Sequence, residues 1–152
     1  MCIIRLRSRY LFFALKGEKR DGADFISDAV SMGCRYAVVS ADSNVNTPNA
    51  GCTIIRAENG REAMALASSN VVNGAEKSLK VCGITGTSGK TTVSYLMDSI
   101  MREERPSTVI GTIQHLIHGE TVDSANTTPE AFTVHSLLEK AVKRGAKHAV
   151  ME

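Results

Sequence analysis

The sequence predicts an α/β protein built on a mostly parallel sheet. Short apolar runs alternate with amphipathic stretches over nearly all of the 152 residues, which is the pattern of strands joined by crossover helices. A glycine-rich loop lies where one apolar run gives way to a helical pattern, and a last apolar run ends in Glu152. Both features fall at the carboxyl ends of strands, where open α/β sheets gather their chemistry.

The length accommodates one ordinary domain or two small ones. With 43% hydrophobic and 22% charged residues, the composition is that of a globular protein with a real core. Eighteen Lys and Arg against 16 Asp and Glu give a net charge of +2, and the basic residues are dispersed except for Arg5, Arg7 and Arg9. A broad basic face for nucleic acid is therefore not expected. Cys2, Cys34, Cys52 and Cys82 form no CxxC pair and have no His at ligand spacing, so they read as reduced, mostly buried thiols of a cytoplasmic protein. The apolar segment Tyr10 to Leu15 falls far short of the roughly 20 residues a membrane span needs. No small-residue cleavage site follows it before Lys16-Gly17-Glu18-Lys19-Arg20, which argues against a secretory signal.

The first strand is expected at Leu11 to Leu15. Asp24 suits an N-cap ahead of Phe25, Ala29 and Met32, whose spacing marks one helical face, and Gly33 suits the stop. A second strand is expected at Tyr36 to Val39, a loop from Ala41 to Gly51, a third strand at Cys52 to Arg56, and a helix from Arg61 to about Val71. The polar segment Asn73 to Ser78 reads as a linker, which divides the chain into residues 1–76 and 77–152. Beyond it come a strand at Leu79 to Thr85, a helix from Lys90 to Glu103 with Val93, Leu96, Met97, Ile100 and Met101 on one stripe, and a strand at Ser107 to Gly111. A small hairpin around His118-Gly119-Glu120, a helix near Ala131 to Arg144 and a strand at Lys147 to Met151 complete the reading.

Gly86-Thr87-Ser88-Gly89-Lys90-Thr91-Thr92 carries the strongest chemical signal. Glycines let backbone approach an anion closely, the first amides of the helix point at it, and Lys90 adds a mobile charge. Thr91 supplies the hydroxyl expected on Mg²⁺. The general phosphate-loop pattern wants a glycine where this chain has Ile84, although Gly83 and Gly86 flank the turn. A ligand-free glycine-rich turn is the bland reading, and the strand, loop and helix context weighs against it.

Asn126-Thr127-Thr128-Pro129-Glu130 precedes the helix whose apolar stripe is Val134, Leu137, Leu138, Ala141 and Val142. On spacing alone it reads first as structural, with Thr128 at the N-cap and Pro129 at the first helical position, or as a capping box from Thr127 to Glu130. Glu152 by itself reads as a solvated chain end. His115, His118, His135 and His148 suggest no catalytic arrangement, and surface or hairpin positions are expected for them.

Taken together, Leu11 to Gly17 with Asp21-Gly22 and Phe25-Ile26, Gly83 to Thr92, Gly111-Thr112-Ile113, Asn126 to Pro129 and Val150-Met151-Glu152 resemble the Mur ligase family, most closely the branch that adds the third amino acid of the peptidoglycan stem. That family uses the phosphate-loop variant without glycine at the position of Ile84. The resemblance implies a small N-terminal UDP-binding α/β domain over 1–76, its start shortened, followed by an incomplete phosphate-loop central domain over 77–152. It implies an ATP-dependent ligase that phosphorylates a substrate carboxylate and lets an amine displace the phosphate.

Residue by residue, the resemblance places ATP on Gly86, Thr87, Ser88, Gly89, Lys90, Thr91 and Thr92, with Lys90 the principal charge. It places Mg²⁺ on Thr91 and Glu152, and the UDP-N-acetylmuramoyl dipeptide on Asn126, Thr127 and Thr128. Glu18, Lys19 and Arg20 align with a UDP-contacting turn. A diamino acid, either meso-diaminopimelate or lysine, is the implied second substrate, and the bacterial cytoplasm the implied setting. The apparatus that the family carries beyond Glu152 points to a chain inactive by itself, whether a truncated reading frame, a fragment or one half of a split enzyme completed by a separate chain. Rival readings are a non-catalytic nucleotide-binding module, a remnant without stable folding, and another phosphate-loop ligase such as a folylpolyglutamate synthetase.

Overall fold

The computed structural model describes residues 2–6, 9–17, 20–45, 51–111, 114–117, 120–123 and 129–152. They form two compact units, Met1–Ala67 and Ser68–Glu152.

In the first unit, β1 (Cys2–Leu6), β2 (Arg9–Ala14), β3 (Cys34–Ser40) and β4 (Thr53–Ala57) lie side by side in that order. β2, β3 and β4 are parallel, and β1 adds an antiparallel edge. Sequence patterning assigns no strand to Cys2–Leu6, because a short run broken by arginine has no clear period; its pairing to β2 makes it a strand. Phe12, Ala14, Ala37 and Val39 pack with Ile26 and Ala29 of α1 (Ile26–Ser31), while Leu11, Phe13 and Val38 of the alternate positions are buried as well. Burial on both faces is what distinguishes parallel strands from a half-solvated sheet. Cys34 and Cys52 belong to the same core, where burial pushes both thiols up and the nearness of Cys52 raises Cys34 further. They are inert protonated thiols, as buried cysteines generally are.

The entry to α1 differs from the expected capping. A 3-10 turn over Gly22–Phe25 precedes the helix, and Asp21 rather than Asp24 caps it, its carboxylate accepting the Ala23 N–H at 2.9 Å. Gly22 is required by a close approach, since a Cβ there would lie 2.6 Å from the Leu15 carbonyl oxygen. Gly33 ends α1 with φ +93, as the sequence suggests.

The second unit holds β5 (Lys80–Gly83), α3 (Lys90–Glu104), β6 (Ser107–Ile110), β7 (Gln114–Ile117), β8 (Glu120–Asp123), α4 (Ala131–Lys143) and β9 (His148–Met151). Its sheet runs β5-β9-β6-β7-β8, so the last strand in sequence lies between β5 and β6 and is parallel to both. β7 and β8 extend it as the expected hairpin, with residues 118–119 outside the described set. Leu137, Leu138 and Ala141 of α4 pack on Ile110, Ile117 and Ala149, the stripe that the spacing predicts. α4 starts two residues later than the proline rule suggests. Glu130, in extended backbone, occupies the cap without a side-chain bond, which leaves Pro129 ahead of the cap rather than at the first helical position.

α3 reverses its own sequence pattern. Val93, Leu96 and Ile100 are 43%, 58% and 72% exposed, whereas Ser94 and Asp98 are buried. Asp98, 1% exposed, accepts hydrogen bonds from the Ser107 hydroxyl on β6 and from Arg102. A buried carboxylate is tolerated because it is paired and hydrogen-bonded. Gln114 of β7 donates to the Tyr95 hydroxyl at 2.8 Å, a second polar tie between helix and sheet. His115, expected at the surface or in the hairpin, is 3% exposed on β7, and burial holds its pKa below the usual imidazole range.

α2 (Gly60–Val71) follows β4 and contains the Ala67/Ser68 position at which the two compact units divide. The supposed linker is structured: Ser69 donates to Glu76 at 2.5 Å, His135 Nδ1 of α4 lies 3.3 Å from the same carboxylate, and residues Ala75–Ser78 form a 3-10 turn against α4. Chiefly the Ser69 hydrogen bond, with His135 alongside, holds the Glu76 carboxyl below its usual range.

Truncating Leu138 to Ala should cost this unit about 2–5 kcal/mol, the range for a buried leucine. Ile100→Ser, on the exposed side of α3, should change its stability by no more than about 0.5 kcal/mol. Urea unfolding followed by circular dichroism measures both, and an Ile100→Ser loss equal to that of Leu138→Ala would contradict the described burial.

Candidate functional site

The glycine-rich loop of the second unit follows β5, and α3 begins directly after it. Gly89 occupies the cap with φ 76 and offers no side chain to the first-turn amides, so those N–H groups have no intrahelical acceptor. Gly86, at φ 147, turns the chain at the other end of the loop. Lys90 folds over it, its ammonium donating to the Gly86 carbonyl at 2.8 Å. Thr87 and Ser88 are exposed between the two glycines, and Thr92 is exposed on the first turn. The loop thus presents first-turn amides without intrahelical acceptors and one lysine cation folded over them, which is the physical make-up of a phosphate seat.

Glu152 enters this seat from the end of β9. The backbone ladder continues past the strands, with Ile84 N–H on the Met151 carbonyl at 2.7 Å and Glu152 N–H on the Ile110 carbonyl at 3.1 Å. These bonds fix Glu152 between the ends of β5 and β6. Its Oε2 accepts the Thr91 hydroxyl at 3.0 Å, across a separation of 61 residues. Gly111 leaves the room: a Cβ there would come within 2.9 Å of Glu152 Oε1. Two hard oxygen donors therefore sit together at the loop, a set that fits Mg²⁺, which binds through one or two protein oxygens with phosphates and waters completing its shell. Among the described residues no cluster of three His, Cys, Asp or Glu side chains competes as a metal site.

In the first unit, two adjoining clefts of about 260 and 290 Å³ share Lys16 and Ser40 at the carboxyl ends of β2 and β3. The first is lined also by Asp21, Asp42, Ser43 and Asn44, and the second by Glu58, Asn59 and Arg61. Arg56 of β4 holds the loop that lines the first cleft, donating to the carbonyls of Ala41, Ser43 and Val45 at 3.4, 2.8 and 3.1 Å. Asn59 caps α2 through the N–H groups of Arg61 and Glu62 at 3.1 and 3.2 Å.

The structure thus draws Lys90, Thr91 and Glu152 into one place. Arg20, expected at a UDP-contacting turn, is exposed, with its guanidinium 5.9 Å from the centre of the Phe25 ring. Glu18, Lys19, Asn126, Thr127 and Thr128 lie outside the described residues. Sequence reasoning missed Lys16, Ser40, Asp42, Asn59 and the bracing by Arg56. The available signal was position alone, at or just beyond the carboxyl ends of parallel strands.

Comparison with known proteins fits this architecture. Residues 4–74 match the profile described as the Mur ligase family catalytic domain, and residues 84–152 match the Mur ligase middle domain. The chain is 39% identical over 142 residues to the UDP-N-acetylmuramoyl-L-alanyl-D-glutamate--2,6-diaminopimelate ligase of Clostridium perfringens, covering 93% of the chain and 29% of that protein. It is 34% identical over 149 residues to the ligase of the same name from Caldanaerobacter subterraneus subsp. tengcongensis, covering 97% of the chain and 30% of that protein. Among solved structures, a UDP-N-acetylmuramoyl-L-alanyl-D-glutamate--2,6-diaminopimelate ligase superposes with TM-score 0.70 at 22% identity, over 93% of the chain and 28% of that structure. The MurF ligase of Thermotoga maritima, solved in complex with ADP, superposes with TM-score 0.55 at 25% identity, over 93% of the chain and 28% of that structure. The chain therefore spans about 30% of the length of the curated relatives it matches, and with two adjacent profiles of one family accounting for 4–74 and 84–152, it belongs to the Mur ligase family.

Proposed function

We propose that the chain forms the UDP-substrate and nucleotide-binding part of an ATP-dependent carbon–nitrogen ligase of peptidoglycan synthesis, working in the bacterial cytoplasm. The meeting of the Thr91 hydroxyl and the Glu152 carboxylate at the head of the phosphate loop carries this reading. The substrates are UDP-N-acetylmuramoyl-L-alanyl-D-glutamate and 2,6-diaminopimelate, an assignment supported by the names of relatives at 39% and 34% identity. Residues 1–76 serve as the UDP-binding domain and 77–152 as the ATP-binding domain. Ligation draws on regions of the relatives beyond the matched segment, supplied in the same polypeptide or by a separate chain.

Each residue has a physical task. The amides of Gly89 to Thr92 and the ammonium of Lys90 hold the nucleotide's phosphate oxygens and offset the charge that grows on the transferred phosphoryl group. Leaving the Gly86 carbonyl for a phosphate costs Lys90 one hydrogen bond and gains a charge-assisted one. Thr91 and Glu152 hold Mg²⁺, which when bound neutralises phosphate charge. The substrate carboxylate attacks the terminal phosphorus, ADP leaves, and the amine then displaces phosphate from the acyl phosphate to form the amide. Asn126, Thr127 and Thr128 are assigned to the muramoyl dipeptide. Glu18, Lys19 and Arg20 are assigned to the UDP end, together with the Lys16 and Ser40 clefts.

Calorimetric titration of the purified chain with ATP and Mg²⁺ should show saturable binding that Lys90→Ala weakens at least about tenfold, the value of one charge-assisted hydrogen bond. A folded chain with no ATP binding would refute the nucleotide assignment. Glu152→Gln should leave metal-free ATP affinity unchanged while abolishing the gain in affinity that Mg²⁺ gives the parent chain; an undiminished Mg²⁺ effect would remove Glu152 from the metal site. Arg56→Ala should weaken UDP binding several-fold, about 1 kcal/mol for loosened loop contacts, and spare ATP binding. Equal loss of both ligands would point to global destabilisation instead.

A further inference from the structure

A second cluster of unspent charge lies at the other end of the second unit's sheet. Lys77 from the 3-10 turn, Lys80 at the start of β5, Arg105 just after α3 and Lys147 just before β9 line one cleft of about 290 Å³, together with His148. The only carboxylate in its lining is Glu104. All four cationic side chains are exposed, and none takes part in the ion pairs found among the described residues. The segments that bear them are tied by backbone bonds: Lys80 N–H to the Lys147 carbonyl at 2.9 Å, Lys147 N–H to Pro106 at 2.8 Å and Lys77 N–H to Gly74 at 3.0 Å. The backbone positions from which these charges project are thus fixed by the sheet and its connections.

A basic residue after a helix can be explained by the helix dipole. That accounts for Arg105 and leaves Lys77, Lys80 and Lys147, which come from three other segments. Bringing four like charges around one concavity raises the energy of the free protein, and a multiply charged anion is what relieves it. His148 adds a ring whose buried Nδ1 has no hydrogen-bond partner. The phosphate loop begins beyond the carboxyl end of β5 and this cleft lies at its amino end; the strand alone spans about 10 Å at roughly 3.3 Å per residue, so pyrophosphate bound at one does not reach the other.

We propose that this cleft is a second anion site, distinct from the phosphate loop, that takes a small polyphosphate-type ligand. Recognition is by charge from Lys77, Lys80, Arg105 and Lys147, and Glu104 opposes it. The site therefore binds more tightly when Glu104 is neutralised and weakens as salt rises.

The test is a titration of the ¹⁵N-labelled Lys90→Ala chain with pyrophosphate at constant ionic strength, the substitution weakening the competing loop. Saturable amide shifts are expected at residues 77–80, 104–105 and 147–148. They should weaken at least about tenfold in Lys90→Ala/Arg105→Ser/Lys147→Ser and tighten in Lys90→Ala/Glu104→Gln. The proposal is overturned if the shifts are absent or do not saturate, if sodium chloride at matched ionic strength reproduces them, or if Glu104→Gln has no effect. The part of ATP binding that Lys90→Ala removes reports on the loop, whereas the pyrophosphate shifts at residues 77–80, 104–105 and 147–148 report on the cleft, so failure of the cleft and failure of the nucleotide assignment are distinguishable.

Discussion

The position of β9 sets the chemistry of the second unit. β5 and β6 do not touch; each is hydrogen-bonded to β9, which arrives last in the sequence and lies between them. Without that insertion the phosphate loop after β5 would follow an isolated strand, and Glu152 would have no fixed place. With it, ladder bonds carry past the strand ends and set the carboxylate beside Thr91 and over Gly111. The pairing is long-range in sequence, so its loop-closure cost falls on the chain before the contacts repay it.

The first unit uses a different device for the same purpose. Its clefts open where β2 and β3 end, and their walls are loops, which have few backbone bonds of their own. Arg56 supplies three, one guanidinium bracing the carbonyls of Ala41, Ser43 and Val45. Asp21 and Gly22 shape the opposite wall, the first by capping the 3-10 turn and the second by allowing backbone to pass within contact of Leu15. A rigid parallel sheet carries polar loops in both units, and in both the candidate ligand groups stand at carboxyl ends.

α3 shows how an element can be legible while its packing is not. Its apolar spacing correctly marks a helix, yet the buried side is Ser94 and Asp98, and Val93, Leu96 and Ile100 face outward. Helical periodicity reports that a face exists. It does not report which face meets the sheet, because Asp98 is satisfied only by Ser107 on a strand not yet placed and by Arg102. His115 is a similar case: nothing in its neighbours along the chain distinguishes a hairpin surface from the interior of β7.

What the sequence alone determined is local in origin. The alternation of strands and helices, the glycine-rich turn ahead of Lys90, the α4 stripe and the stop at Gly33 each depend on residues within a turn or two of one another, where backbone sterics and hydrophobic period act directly. Tertiary structure decided what depends on distant partners. It moved the first cap to Asp21, ordered the supposed linker through Ser69, Glu76 and His135, and made a strand of Cys2–Leu6 by pairing it. It also brought Glu152 to Thr91. A terminal carboxylate and a threonine 61 residues away share no local signal, and only the hydrogen-bonded register of β9 between β5 and β6 places them at contact distance.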